Sequence, residues 1–198
     1  MGVGDTGGNG SGPTLQLVPV YMGEQAALLP SLARHLEQTF GVIVAQHPPG
    51  FDPELAYDNG RGQYDSRVML AQLLRDMRPG NSKVLGITGA DLFIPVLTFV
   101  YGEAQLSGKA AIVSTNRLSN EPFGIPDTPG LLLDRLIKEA VHELGHTLGL
   151  VHCHDGRCVM ASSTYVEEID LKGDRFCYQC LRRLRSPEEA DLTRQGRW

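Results

Sequence analysis

The 198-residue sequence has no apolar run approaching the roughly 20 residues that a bilayer-spanning helix needs. Its N-terminus has neither the basic stretch nor the apolar core of a secretory signal. Both absences lead us to expect a cytoplasmic protein with no membrane association. A basic excess is missing too. Lys and Arg number 18 against 23 Asp and Glu, a formal charge of −5, whereas a general nucleic-acid binder needs a basic footprint. No cysteine occurs before residue 153. In a reducing compartment the few that follow more often hold a metal than form disulfides.

What is present is an ordinary globular composition, 41% hydrophobic and 21% charged, long enough to bury a core without disulfides. The scarce residues are not spread evenly. Four of the six histidines (142, 146, 152 and 154) and all four cysteines (153, 158, 177 and 180) lie between positions 142 and 180. That crowding is the feature to explain.

Residues 1–13 carry six glycines and read as a flexible tail. Thr14–Tyr21, Val42–Ala45 and Lys83–Ile87 read as strands. Glu24–Phe40 and Ser66–Met77 read as helices, the first with Pro30 as an alternative starting point. Pro95–Tyr101 and Ala110–Ser114 are predicted as two further strands joined by a polar turn through Gly102–Gly108. Helices alternating with strands, followed by a strand pair, imply an α/β fold whose mixed sheet has an antiparallel member. Thr128–Leu150 is the long helix, with an apolar stripe through Leu136, Ala140, Val141 and Leu144. Residues 153–181 show no periodicity. Ser186-Pro187-Glu188-Glu189 then resembles the start of a short C-terminal helix reaching about Gln195.

The long helix contains His142-Glu143-Leu144-Gly145-His146. Histidines four apart are one turn apart and only about 40° round the axis, so both rings reach one zinc. Glu143 lies about 100° from His142, beside such a metal and placed to act as a base on metal-bound water. Gly149 stands three residues after His146, and His152 stands six after His146. A glycine with positive φ can end the helix and turn the chain back, so that His152 supplies a third nitrogen. Three protein ligands leave the fourth position open, the arrangement of a catalytic zinc.

The cysteines read Cys153-x4-Cys158-x18-Cys177-x2-Cys180. Two short pairs at this separation suit a tetrahedral structural zinc; two disulfides are the alternative, and His154 could replace one cysteine. Otherwise His154 is an exposed bystander. A nucleic-acid zinc ribbon would draw on Arg182, Arg183 and Arg185, though such a cluster is usually a solvated face.

Taken jointly, HExxHxxGxxHC-x4-CxM and the later FCxxC resemble the archaemetzincins, a branch of the metzincin zinc peptidases. The residues that carry this are His142, Glu143, His146, Gly149, His152, Cys153, Cys158, Met160, Phe176, Cys177 and Cys180. Asp91-Leu92-Phe93 and Phe99–Ala104 match less specifically. The resemblance covers about residues 14–195. It implies a metzincin-like zincin fold: a mixed twisted sheet with an antiparallel edge strand, a long active-site helix and a small zinc-stapled C-terminal subdomain. The corresponding divisions are a tail at 1–13, a sheet-and-helix part at 14–152, and a part at 153–198 holding the Met-turn, the Cys₄ site and a terminal helix.

Two zinc ions are implied. One, catalytic, sits on His142, His146 and His152 with Glu143 as general base and acid. The other, structural, sits on the four cysteines, and Met160 is the Met-turn methionine beneath the first. A peptide or protein substrate would lie antiparallel along the edge strand near Pro95–Tyr101. The expected state is a monomer without nucleic-acid partners. A zinc-binding scaffold with little turnover, or a zinc hydrolase of non-peptide substrates, is the other reading. Tyr165 could assist an oxyanion, although a packing or loop role suits it better. Asp91 or Glu103 could hold a substrate amine.

Overall fold

A computed structural model describes residues 13–79, 82–120, 124, 128 and 130–185. In chain order the elements are β1 (Thr14–Val20), a 3₁₀ turn (Gly23–Leu28), α1 (Leu29–Phe40), β2 (Ile43–Gln46), a second 3₁₀ turn (Pro53–Ala56), β3 (Tyr57–Asp58) and β4 (Gln63–Asp65). There follow α2 (Ser66–Asp76), β5 (Ser82–Thr88), β6 (Leu92–Phe93), β7 (Gly102–Ala104), β8 (Ala110–Ser114), α3 (Leu131–Thr147), α4 (Val166–Leu171) and α5 (Tyr178–Arg185). The expected tail and the helix from Ser186 lie outside the described residues, apart from Pro13 at the tail's end.

The main sheet has the order β2-β1-β5-β8-β7. Its first four strands are parallel, and β7 pairs antiparallel with β8 at the edge. The alternation within β1 explains the layering. Leu15 and Leu17 face one way, into a core shared with Leu32 and Leu36 of α1 and Leu136 and Val141 of α3. Val18 and Val20 face the other way, against Met69 and Leu73 of α2. The C-terminal stretch joins the first of these cores: Val159, Met160, Ile169 and Cys180 are buried in the same cluster as α3. No helix among the described residues is long and apolar enough to cross a membrane.

Three sequence expectations change. Pro95–Tyr101 is not a strand. The chain turns there, with Leu97 N donating to Ile94 O at 3.0 Å, and only Val100 bridges to Leu92. Pro95 has no N–H to give a ladder, and Val96 is 84% exposed, so the apolar alternation is not matched by burial. The antiparallel edge strand is instead Gly102–Ala104, within the segment expected to be a turn. The predicted helix Glu24–Phe40 divides, with α1 starting at Leu29 and Pro30 in its first turn, where a missing N–H costs nothing. Residues 153–181 are not irregular throughout, because they contain α4 and the start of α5. Both are too short to show a period of 3.6 convincingly.

Candidate active site

The site is built on the last two turns of α3. Gly149, at φ +91°, closes this helix. Gly149 N donates to His146 O at 2.9 Å and Leu150 N donates to Gly145 O at 3.1 Å. This is the paired hydrogen-bond pattern of a Schellman C-cap, and its left-handed residue favours glycine. The cap does more than end the helix. Leu150 O, fixed by that turn and 2% exposed at its residue, is 2.8 Å from His146 Nδ1. His142 Nδ1 is 2.8 Å from Val159 O, which comes from the returning chain.

These two carbonyls settle the tautomers. A carbonyl only accepts, so each Nδ1 carries the proton and each Nε2 is left as a lone pair. The two Nε2 atoms then face each other 3.0 Å apart. Two lone pairs at that distance make no hydrogen bond; a shared cation resolves the contact. Nitrogens about 2.0–2.1 Å from a tetrahedral zinc lie about 3.3 Å apart, so the donor set fits. The ring of His152 completes the triangle, its centroid 5.3 Å from that of His142 and 5.0 Å from that of His146. One nitrogen from each of the three lies within 4.8 Å of the others. Burial holds these imidazoles neutral, most strongly His142, whose pKa is pushed down to about 3.

Glu143 is buried at the floor of the same cleft, an opening of about 400 Å³ that Gly102, Glu103, Ala104, Leu106, Val151 and the three histidines also line. Burial, then the nearby Glu139, pushes its carboxyl well above the usual carboxylate range, and Lys172 pulls it back. A dication on the histidines would oppose the shift further. Beneath the cleft, Lys172 Nζ pairs with Glu139 at 2.8 Å and reaches Ala161 O at 3.3 Å, all three within the interior. This ties α3 to the segment after Met160.

The cysteines form a second cluster one peptide bond away. Cys153 Sγ is 3.7 Å from Cys177 Sγ, and Cys158 Sγ is 3.8 Å from Cys180 Sγ. A disulfide needs about 2.05 Å. Four sulfurs about 2.3 Å from a tetrahedral zinc lie about 3.8 Å apart. All four are free thiols, and all four lie within the same 4.8 Å limit. Cys177 N also donates to Cys158 Sγ at 3.3 Å, an interaction that suits a thiolate.

The model of peptidase family M54 matches residues 51–186. Archaemetzincin from Methanocaldococcus jannaschii is 40% identical over 158 residues, covering 77% of this chain and 85% of that protein. The chain belongs to peptidase family M54. Within the family, archaemetzincin from Methanopyrus kandleri is 40% identical over 155 residues, which are 78% of this chain and 85% of the relative. Its crystal structure superposes with a TM-score of 0.78 at 37% identity, over 91% of this chain and 98% of that one. A zinc-dependent peptidase from Methanocorpusculum labreanum gives 0.73 at 28% identity, over 87% and 100%. The α/β architecture with its antiparallel edge strand is therefore that of the M54 family.

The other residues read from the sequence divide. Met160 is fully buried against Gly145, and its carbonyl accepts Cys153 N at 2.9 Å. Tyr165, 67% exposed, precedes α4 and does not line the cleft. Asp91 is engaged by Arg117 at 2.7 and 2.8 Å. Glu103 sits on the edge strand, its carboxylate hydrogen-bonded by Ser66 Oγ. His154 is exposed and lines a neighbouring hollow with Tyr178, Gln179 and Arg183.

Two site residues were not singled out for their packing. Gly145 lies in mid-helix, and a Cβ there would fall 2.4 Å from Met160 Sδ and 3.0 Å from Phe176 Cε1. Gly102 is its counterpart across the cleft, where a Cβ would fall 2.7 Å from Glu143 Cγ. The signal for Gly145 was available, since a helix-interior glycine costs about 1 kcal/mol and calls for a packing reason. For Gly102 the sequence carries no such signal, because Gly102–Ala104 lacks the apolar pattern of a strand.

Proposed function

We propose that this member of the family is a zinc-dependent peptidase in which His142, His146 and His152 hold the catalytic metal and Glu143 moves the proton. The observation that carries this reading is the facing pair of Nε2 lone pairs, 3.0 Å apart, with a buried carboxylate on the next helical position. These three histidines would hold a zinc ion, which would supply a Lewis acid able to acidify water and polarise a carbonyl. Glu143 accepts a proton from the attacking water as its oxygen bonds to the scissile carbonyl carbon. The same carboxyl then delivers that proton to the amide nitrogen as the C–N bond breaks, so the amine leaves neutral and Glu143 is restored. An extended substrate adds a strand along the free edge of β7, antiparallel to it.

Met160, packed under Gly145, takes the Met-turn role: it supports the turn that carries His142's carbonyl partner and touches no substrate. The four thiols hold a second, structural zinc, which staples the C-terminal part of the described chain, residues 153–185. Thiols kept as metal ligands fit a reducing compartment such as the cytoplasm.

Elemental analysis of the purified chain, a peptide-library digest and the variant Glu143→Gln test this together. We expect two zinc ions per chain, cleavage of unmodified peptides, and a loss of about 10³-fold in kcat/KM with both metals retained in the variant. Undiminished turnover in Glu143→Gln removes its role. A fully loaded protein that cleaves no peptide in the library would be a zinc-binding protein, not a peptidase.

A further inference from the structure

Strand β7 fixes how a substrate lies. Tyr101 O accepts Ser114 N at 2.7 Å and Gln105 N donates to Ala110 O at 3.0 Å, with Glu103 opposite Ile112 between them. In an antiparallel ladder the intervening residues point their backbone groups the other way. Gly102 and Ala104 therefore offer N–H and C=O to the cleft. The strand also has a direction relative to α3. Gly102 lies over Glu143, and five residues on, Ser107 N donates to His146 O at 2.9 Å. A peptide paired antiparallel to β7 consequently has its C-terminal half over Gly102 and its N-terminal half toward Leu106.

At that N-terminal end the cleft wall is apolar. Leu106, in the turn after β7, and Val151, just before His152, line the same opening as the three histidines, and each is 49% exposed. Neither residue at this end carries a charge. Of the nearby acids, Asp91 is paired with Arg117, and the Glu103 carboxylate takes the Ser66 hydroxyl, Ser66 being the first residue of α2.

Resting on the peptidase reading above, we propose that Leu106 and Val151 form a specificity subsite for a bulky apolar side chain on the N-terminal side of the scissile bond. The substrate class is then extended peptides with leucine-like residues immediately before the cleaved bond. Burial of that side chain between two otherwise wet apolar residues supplies the preference.

Binding of single-residue hydroxamates to the zinc-loaded protein tests this without turnover, because acetyl-leucine and acetyl-lysine hydroxamate place their side chain on the N-terminal side only. Calorimetry should give the leucine compound about tenfold tighter binding. Leu106→Asp should abolish or invert that ratio and Leu106→Ala should narrow it. Leu106 is exposed on a turn, and an unchanged Tm confirms that the fold of each variant is intact. Equal affinities in the wild-type protein, or an unchanged ratio in Leu106→Asp, overturn the subsite while leaving the peptidase reading in place. Failure of both hydroxamates to bind overturns the two together. In a library digest, an apolar preference on the C-terminal side alone would show that the peptide runs the opposite way.

Discussion

The histidine and cysteine clusters meet at one peptide bond, His152–Cys153, and are built on opposite plans. The histidine set grades from buried His142 to exposed His152, opens into a cleft and has a carboxylate beside it. The cysteine set has four donors of its own, with Cys158 and Cys180 fully buried, and no carboxylate among them. Three donors beside a cleft leave room for a reacting molecule; four donors leave none. On the proposed reading, one stretch of chain carries chemistry on one side of a bond and cohesion on the other. The two are nonetheless mechanically joined, since Cys153 N donates to Met160 O, and the neighbouring carbonyl of Val159 orients His142.

Breaking the closed set should have the largest effect. Cys177→Ser with Cys180→Ser is expected to lose the second zinc and lower Tm by roughly 10 °C or more, since a structural metal contributes folding energy directly. Catalytic zinc should also bind more weakly through the loosened Met160 turn. A double variant that keeps two zinc ions and its melting temperature would show the clusters to be independent.

Acid sharpens the comparison from the open side. In metal-free protein, unfolded histidine takes up a proton below about pH 6.5. Folded His142 does not until about pH 3. Between those values the unfolded state binds more protons, so stability falls as pH drops through the window. The buried Glu143 carboxyl, pushed up in the folded state, works in the opposite direction above the ordinary carboxylate range. Denaturant midpoints of chelator-treated Glu143→Gln protein, which lacks that opposing group, should therefore decline from pH 7 to pH 4; a rising profile in this variant would contradict the burial of a neutral His142.

The smallest effect is expected at the contact between the two plans. Gly145→Ala places a methyl on Met160 and Phe176. Overpacking costs about 1–3 kcal/mol, offset by about 1 kcal/mol of helix propensity. Tm should fall by roughly 2–6 °C. A higher Tm in the alanine variant would mean that Met160 yields freely and does not brace the helix.

Much of the site is legible in the sequence because its ligands are close together along the chain. One helical turn places His142 with His146, and one glycine turn can bring back His152. The strands β1, β5 and β8 are legible for a similar reason, since their apolar runs are matched by burial on both faces. The edge strand is less so. Pro95–Tyr101 has the apolar pattern without the partners, whereas Gly102–Ala104 has the partners without the pattern. The short helices α4 and α5 are held by contacts with α3 and the cysteines, so propensity could not announce them.

By itself, then, the sequence determined which side chains could share a metal, because ligand spacing within a turn is a local property of the backbone. It likewise determined that the cysteines fall into two pairs. Tertiary structure alone decided the remaining features. Carbonyls of Val159 and Leu150 choose the tautomers that leave two lone pairs face to face. Gly145 admits Met160 beneath the helix, and β7 arrives over Glu143 with its edge free and its direction set. Each of these depends on segments that meet only when the two cores close, and no local pattern records a contact between strangers in the chain.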